Sequence, residues 1–171
     1  MSLKKMYTAE EWEQKVEYYS QASRALRLGD NPNTKEIMFF EARVDALLTE
    51  SMLDRSYVKS NFDQIDNQVK LREKELSFQI RINPEIVTDQ PLTKPTEKMI
   101  DGLVVKYLRS SAYPPFKVDI YTLKNALNER LNFIDEVVRI LHDKKSALEI
   151  MARMLKIEAT FKETVNGRDH E

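Results

Sequence analysis

Residues 33–82 contain neither glycine nor proline, and this run constrains the chain more than any other feature. Those two residue types end helices most readily, so fifty positions without them favour one unbroken helix. Ile37, Phe40, Val44, Leu47, Ser51, Arg55, Val58, Phe62, Ile65, Val69, Arg72 and Leu76 form a seam along it. The steps alternate between three and four, apart from a doubled four at Arg55. That is the coiled-coil period with a single stutter. Asn33 is placed to cap the helix, with Glu36 three residues on as its reciprocal partner. The expected element, 34–82, would be roughly 74 Å long at 1.5 Å per residue.

A second seam is more regular still. Leu127, Leu131, Ile134, Val138, Leu141, Lys145, Leu148, Ala152, Leu155 and Ala159 alternate by four and three without a slip, which predicts a helix over 117–164 ended by Asn166-Gly167. Ahead of both seams, Thr8 and Glu11 have capping-box spacing. Trp12, Val16, Tyr19, Ser23 and Leu26 then share one face of a helix over 9–28. Gly29 is suited to the C′ position, and Asp30-Asn31-Pro32 breaks the chain. The connector, 83–116, holds Pro84, Pro91 and Pro95, then Thr96 as the cap of a short helix over 97–109 with Ile100, Leu103, Val104, Tyr107 and Leu108 on one stripe. Phe78 to Ile82 alternates apolar with polar residues, so a short β-ribbon competes there, but no second strand is available to pair with it.

These elements predict one all-α domain over 1–171: a long antiparallel helical hairpin, coiled-coil-like, with a short N-terminal helix and a short connecting helix. Met38, Phe39, Phe133, Met151 and Met154 fall outside the seams. A lone hairpin would leave them wet, which points to a homo-oligomer. The core and oligomer seam is expected at Leu127, Leu131, Ile134, Val138, Leu141, Leu148 and Leu155.

Catalytic devices are scarce. There is no cysteine, and the two histidines, His142 and His170, have no partner at metal-ligand spacing on a helix. Gly29, Gly102 and Gly167 are too dispersed for a phosphate-cradling loop. Acid pairs such as Asp63/Asp66 and Asp135/Glu136 are ordinary on charged helices. The expectation is a non-enzyme without cofactor or metal. No apolar run reaches the roughly 20 residues that span a bilayer, and Met1–Tyr7 has no signal-peptide core, so no membrane partner is expected.

The charge balance is −1 overall, but residues 94–117 carry five Lys/Arg against two acids. Lys70, Arg72 and Lys74 end the long helix, with Arg81 beyond, and Lys94, Lys98, Lys106, Arg109 and Lys117 surround the short one. Phe78, Tyr107, Tyr113 and Phe116 are interleaved with them. Cations neutralise phosphates and aromatic faces stack unpaired bases, which is how single strands are held without sequence reading. The same lysines also read as solvated helix ends, since Glu73, Glu75, Glu97 and Asp101 share the stretches. Lys145, inside the seam, reads as a register device.

Lys94-Pro95-Thr96-Glu97-Lys98-Met99-Ile100 opens the short helix, and Val138-Arg139-Ile140-Leu141-His142-Asp143-Lys144-Lys145-Ser146-Ala147-Leu148 lies in the last one. In this plan, across 37–158, the chain resembles the UvsY-type recombination mediators of bacteriophages. The resemblance implies a ring-forming protein in the cytoplasm of a bacterial host. It would bind single-stranded DNA and help a RecA-like recombinase load onto strands coated by single-strand-binding protein. It also implies DNA contacts near the end of the long helix, which here reads Lys70-Leu71-Arg72-Glu73-Lys74-Glu75-Leu76-Ser77-Phe78, with acids interleaved. The nucleic-acid contacts expected are Lys70, Arg72, Lys74, Arg81, Lys94 and Lys98, with Phe78 and Tyr107 stacking. The competing expectation is a scaffolding coiled-coil protein that mediates protein–protein assembly.

Overall fold

The computed structural model describes residues 6–29, 32–86 and 95–166. Four α-helices make up nearly all of it: α1 (Ala9–Ala25), α2 (Thr34–Ile82), α3 (Glu97–Ser110) and α4 (Ile120–Asn166), with a 3-10 turn at Pro84–Ile86. No strand occurs among the described residues. The protein is all-α, and the β-ribbon considered for Phe78 to Ile82 is the last turn of α2.

Capping chemistry sets the helix starts. Thr8 and Glu11 exchange side-chain-to-backbone hydrogen bonds of 2.8 and 3.1 Å, and Asn33 and Glu36 do the same at 2.9 and 3.0 Å. Thr96 accepts from the Met99 amide. Two boundaries differ from expectation. α1 ends at Ala25 rather than 28, because Leu26 leaves the helical region (φ −85°, ψ 55°). Gly29 lies outside the helix and has no positive φ, so it is not a C′ residue. The Leu26 carbonyl left open by that early end accepts from Lys144 Nζ at 3.0 Å. α4 begins at Ile120 rather than 117, because Asp119 accepts from the Tyr121 and Thr122 amides, both at 3.0 Å. Acidic caps of this kind satisfy the open amides of the first turn.

The chain forms two compact units. The α1 unit comprises Tyr7–Ser56 and Phe133–Glu171; the α3 unit comprises Met1–Met6 and Tyr57–Asn132. In the α1 unit, Tyr19 of α1 and Leu26 just after it pack on Ile37, Val44, Leu47 and Leu48 of α2 and on Ile134, Val137, Leu141 and Leu148 of α4. Trp12 meets Phe133 edge-on at 5.8 Å, so α1 covers one of the aromatic residues outside the seams. Arg55 pairs with Asp135 and Asp45 with Lys145 at 2.7 Å, so numbers rise along α2 as they fall along α4. Charged residues at seam positions thus pair across it, which ties down register.

In the α3 unit, Ile100, Val104 and Leu108 recur every fourth residue along α3. They pack with Ile65, Val69, Leu76 and Ile80 of α2 and Ile120 and Leu127 of α4. Asp66 holds Lys70 and Lys124, each at 2.6 Å, and the Tyr121 hydroxyl donates to Glu73 at 2.8 Å. Hydrogen bonds from Lys124 and then Lys70 keep the Asp66 carboxyl below its ordinary range. Tyr113 lies over Phe116 with rings nearly parallel.

Candidate nucleic-acid interface

The basic residues at the end of α2 do not share one face. Successive helical residues are about 100° apart, so Lys70, Lys74 and Arg81, at steps of four and seven, lie along one side. Arg72 is turned away from both neighbouring lysines. Lys74 and Lys98 are exposed. Lys70 is engaged by Asp66, and Arg81 by Glu97 of α3 at 2.7 Å. Lys94 lies outside the described residues. Phe78 is 65% exposed and Tyr107 41%.

Arg72, a seam position in the sequence, is an exposed residue at the edge of the core. Its guanidinium carbon lies 4.7 Å from the centroid of the Tyr113 ring. That contact leaves the guanidinium N–H edge free to donate in the plane while one face rests on the ring. Arg72 also lines a groove of about 380 Å³ together with Gln68, Leu71, Glu75, Leu76 and Gln79 of α2 and Tyr107 and Leu108 of α3. One groove therefore gathers an arginine, two amide side chains, an exposed aromatic ring and one acid. This is a chemistry that accepts a base on Tyr107, a phosphate at Arg72 and a base edge at Gln68 or Gln79.

Sequence reasoning passed over Gln68 and Gln79, and it placed Tyr113 among the aromatic residues near the cations without pairing it to Arg72. The available signal was the four-and-three spacing of Gln68, Arg72, Glu75 and Gln79, which puts them on one flank of α2. A second cation–aromatic pair, Arg109 over Tyr121 at 5.8 Å, belongs to the same unit. The electrostatic field there is mild: residues 57–86 and 95–132 hold eleven Lys/Arg against nine Asp/Glu.

No known protein family, curated protein or solved structure matches the chain. Its chemistry therefore has to be read from its own residues.

Of the expected seam, Leu127, Ile134, Leu141 and Leu148 are buried, and Leu131, Val138 and Leu155 are half-buried. Leu127 and Leu131 belong to the α3 unit and the others to the α1 unit. His142 is exposed on α4, and His170 lies outside the described residues. Among the described residues, no group of three or more His, Cys, Asp or Glu side chains is placed to hold a metal ion. No described helix is long and apolar enough to cross a membrane.

Proposed function

We propose that this chain is a non-catalytic, self-assembling helical protein that holds single-stranded DNA, in the manner of a recombination mediator. The observation that carries the reading is the α2–α3 groove, where Arg72 and the half-open Tyr107 stand beside Gln68 and Gln79. Stacking on an aromatic ring is indifferent to sequence, and an arginine within reach fixes the backbone. Lys74 and Lys98 are exposed in the same unit and add to the positive side of a mild field. In this reading α2 and α4 make an antiparallel, coiled-coil-like hairpin, and several copies act together, so that a weak site per chain gains avidity. Delivery of the strand to a recombinase, displacing a single-strand-binding protein, and a bacterial cytoplasmic setting rest on the resemblance described above.

The test is fluorescence anisotropy of a labelled single-stranded oligonucleotide over a salt series. Three phosphate contacts per chain predict a slope of log affinity on log salt of about −2 for single strands. Binding absent at low salt, or present with no salt dependence, overturns the reading. The scaffold alternative is favoured by a separate observation: Lys70 and Arg81 are already held by acids, while Met38, Phe39, Met52 and Leu53 are exposed.

A further inference from the structure

The back of α4 changes character along its length. Glu136, Arg139 and Asp143 occupy it first, with Arg139 paired to both acids. Seven residues after Asp143, two turns on and so on the same side, an apolar stripe begins. Ile150, Met154, Ile157 and Phe161 follow at steps of four, three and four, and they are 58%, 57%, 66% and 71% exposed. A heptad-spaced apolar stripe facing water marks a surface that something covers.

α2 carries a matching stripe. Phe39, Ala42, Ala46, Thr49 and Leu53 alternate by three and four along its length, all exposed. They lie on the side turned away from Val44, Leu48 and Ser51, which are buried. The Thr49 hydroxyl already donates to the Asp45 carbonyl at 2.9 Å, so its methyl group is what the stripe presents. The middle of this stripe is shallow, because its three consecutive positions Ala42, Ala46 and Thr49 are small.

We infer that these two stripes bind each other between copies of this chain, α4 of one protomer lying antiparallel in the shallow stripe of α2 of the next. In that alignment Leu53 meets Ile150, Thr49 meets Met154, Ala46 meets Ile157 and Ala42 meets Phe161. Large side chains face small ones at three of the four layers, as close packing of helices requires. The flanking positions bring Arg43 opposite Glu158, a complementary pair of the kind that sets orientation. The occupant is a second copy because spacing, size and charge of each stripe match the other stripe of the same sequence.

The geometry of the contact determines what assembles. Each stripe lies on the side of its helix opposite the α2–α4 seam, so the two point away from one another within the α1 unit. One contact therefore leaves an α2 stripe free at one end and an α4 stripe free at the other. Such head-to-tail interfaces build rings or filaments rather than closed pairs. This inference rests on the self-assembly half of the proposed function and is independent of the DNA half.

Two charge variants test it, Ile157→Glu on α4 and Ala46→Glu on α2, with Leu53→Lys as a second α2 variant. All three positions are exposed and helical, and circular dichroism checks that the helices persist. Light scattering and sedimentation velocity are measured from about 1 to 100 µM, where mass action moves a weak assembly. The wild-type protein is expected to grow beyond a dimer, and each variant alone to remain monomeric. A one-to-one mixture of Ile157→Glu with Ala46→Glu is expected to form a dimer and nothing larger, because each supplies the stripe the other lacks. Adding Arg43→Glu to the Ile157→Glu chain is expected to weaken that dimer about tenfold, and adding Glu158→Arg to the Ala46→Glu chain to restore it. A mixture that stays monomeric while the wild type assembles overturns the inference, as does a wild type that is monomeric at the highest concentration. Oligonucleotide binding by the same samples separates the two ideas. A monomer that binds DNA sinks the stripe contact alone, and an assembly that dimerises as described but ignores DNA sinks the DNA reading alone.

Discussion

Asp54 is a buried carboxylate whose environment works in two directions. Burial pushes its carboxyl up, but hydrogen bonds from Lys15, Tyr7 and Tyr19 outweigh that and leave it lowered. The contacts are short: Tyr7 and Tyr19 hydroxyls each donate at 2.7 Å, and Lys15 Nζ lies at 2.8 Å. Burial first, then the bond to Asp54, raises the Tyr19 hydroxyl. Lys15 is raised too, since its bonds to Asp54 and Glu50 exceed the opposing burial. The lowered carboxyl contributes stability above its unfolded value, about 3.9, and loses it as pH falls through the folded value. The raised Tyr19 and Lys15 contribute below about pH 10 and lose that contribution as pH rises through their folded values. Thermal melts followed by circular dichroism should therefore fall off on both sides of a neutral plateau. Asp54→Asn should flatten part of the acid limb, and Asp54→Ala should cost about 3 kcal/mol by taking the acceptor from the buried Tyr19 hydroxyl and leaving Lys15 with Glu50 alone. In the α2–α3 groove, Tyr107→Ala should weaken oligonucleotide binding by about 1–3 kcal/mol. Arg72→Ala should lower the magnitude of the salt slope by about 0.7. Equal loss of slope in both variants would contradict the roles given to them.

At the scale of elements, the local signals carried most of the information. Thr8, Asn33 and Thr96 each lie one residue before a helix, and each caps it. The expected start of α4 at 117 overlooked Asp119, the one N-cap residue type in Lys117-Val118-Asp119. Only the folded chain shows Asp119 gathering two amides and the Thr122 hydroxyl at 2.6 Å. The hydrogen bond from that hydroxyl is the main cause of the lowered Asp119 carboxyl. Gly102, in the middle of α3, is exposed, and an added Cβ there would meet nothing within 4 Å. Gly102→Ala should stabilise α3 by about 0.8 kcal/mol through helix propensity alone. Chemical denaturation would show this as a higher midpoint at unchanged slope. A lower midpoint would mean that α3 has a neighbour on that side.

Across the whole molecule, the two apolar clusters are distinct: one built around α1, the other around α3. Ile134 and Ile100 are nearly inaccessible in their respective clusters, and truncating either to alanine should cost about 2–5 kcal/mol. Amide hydrogen exchange should report where. Ile100→Ala should lower protection chiefly in α3 and the facing turns around Ile65–Ile80. Ile134→Ala should do so in α1 and around Ile37–Leu48. Uniform loss of protection from both variants would mean that the clusters open as one cooperative body.

Sequence alone determined that the chain is helical, and very nearly where each helix begins and ends. Periodicity, caps and the scarcity of glycine and proline are local properties, and local properties are readable one turn at a time. The tertiary structure decided what each charge and ring faces. Arg81 looks like a free cation in the sequence, but Glu97 of α3 holds it. Arg72 looks like a seam residue, but it leans on Tyr113, forty-one positions away. Such pairings depend on which turns of distant helices come side by side, and no spacing along one helix encodes that.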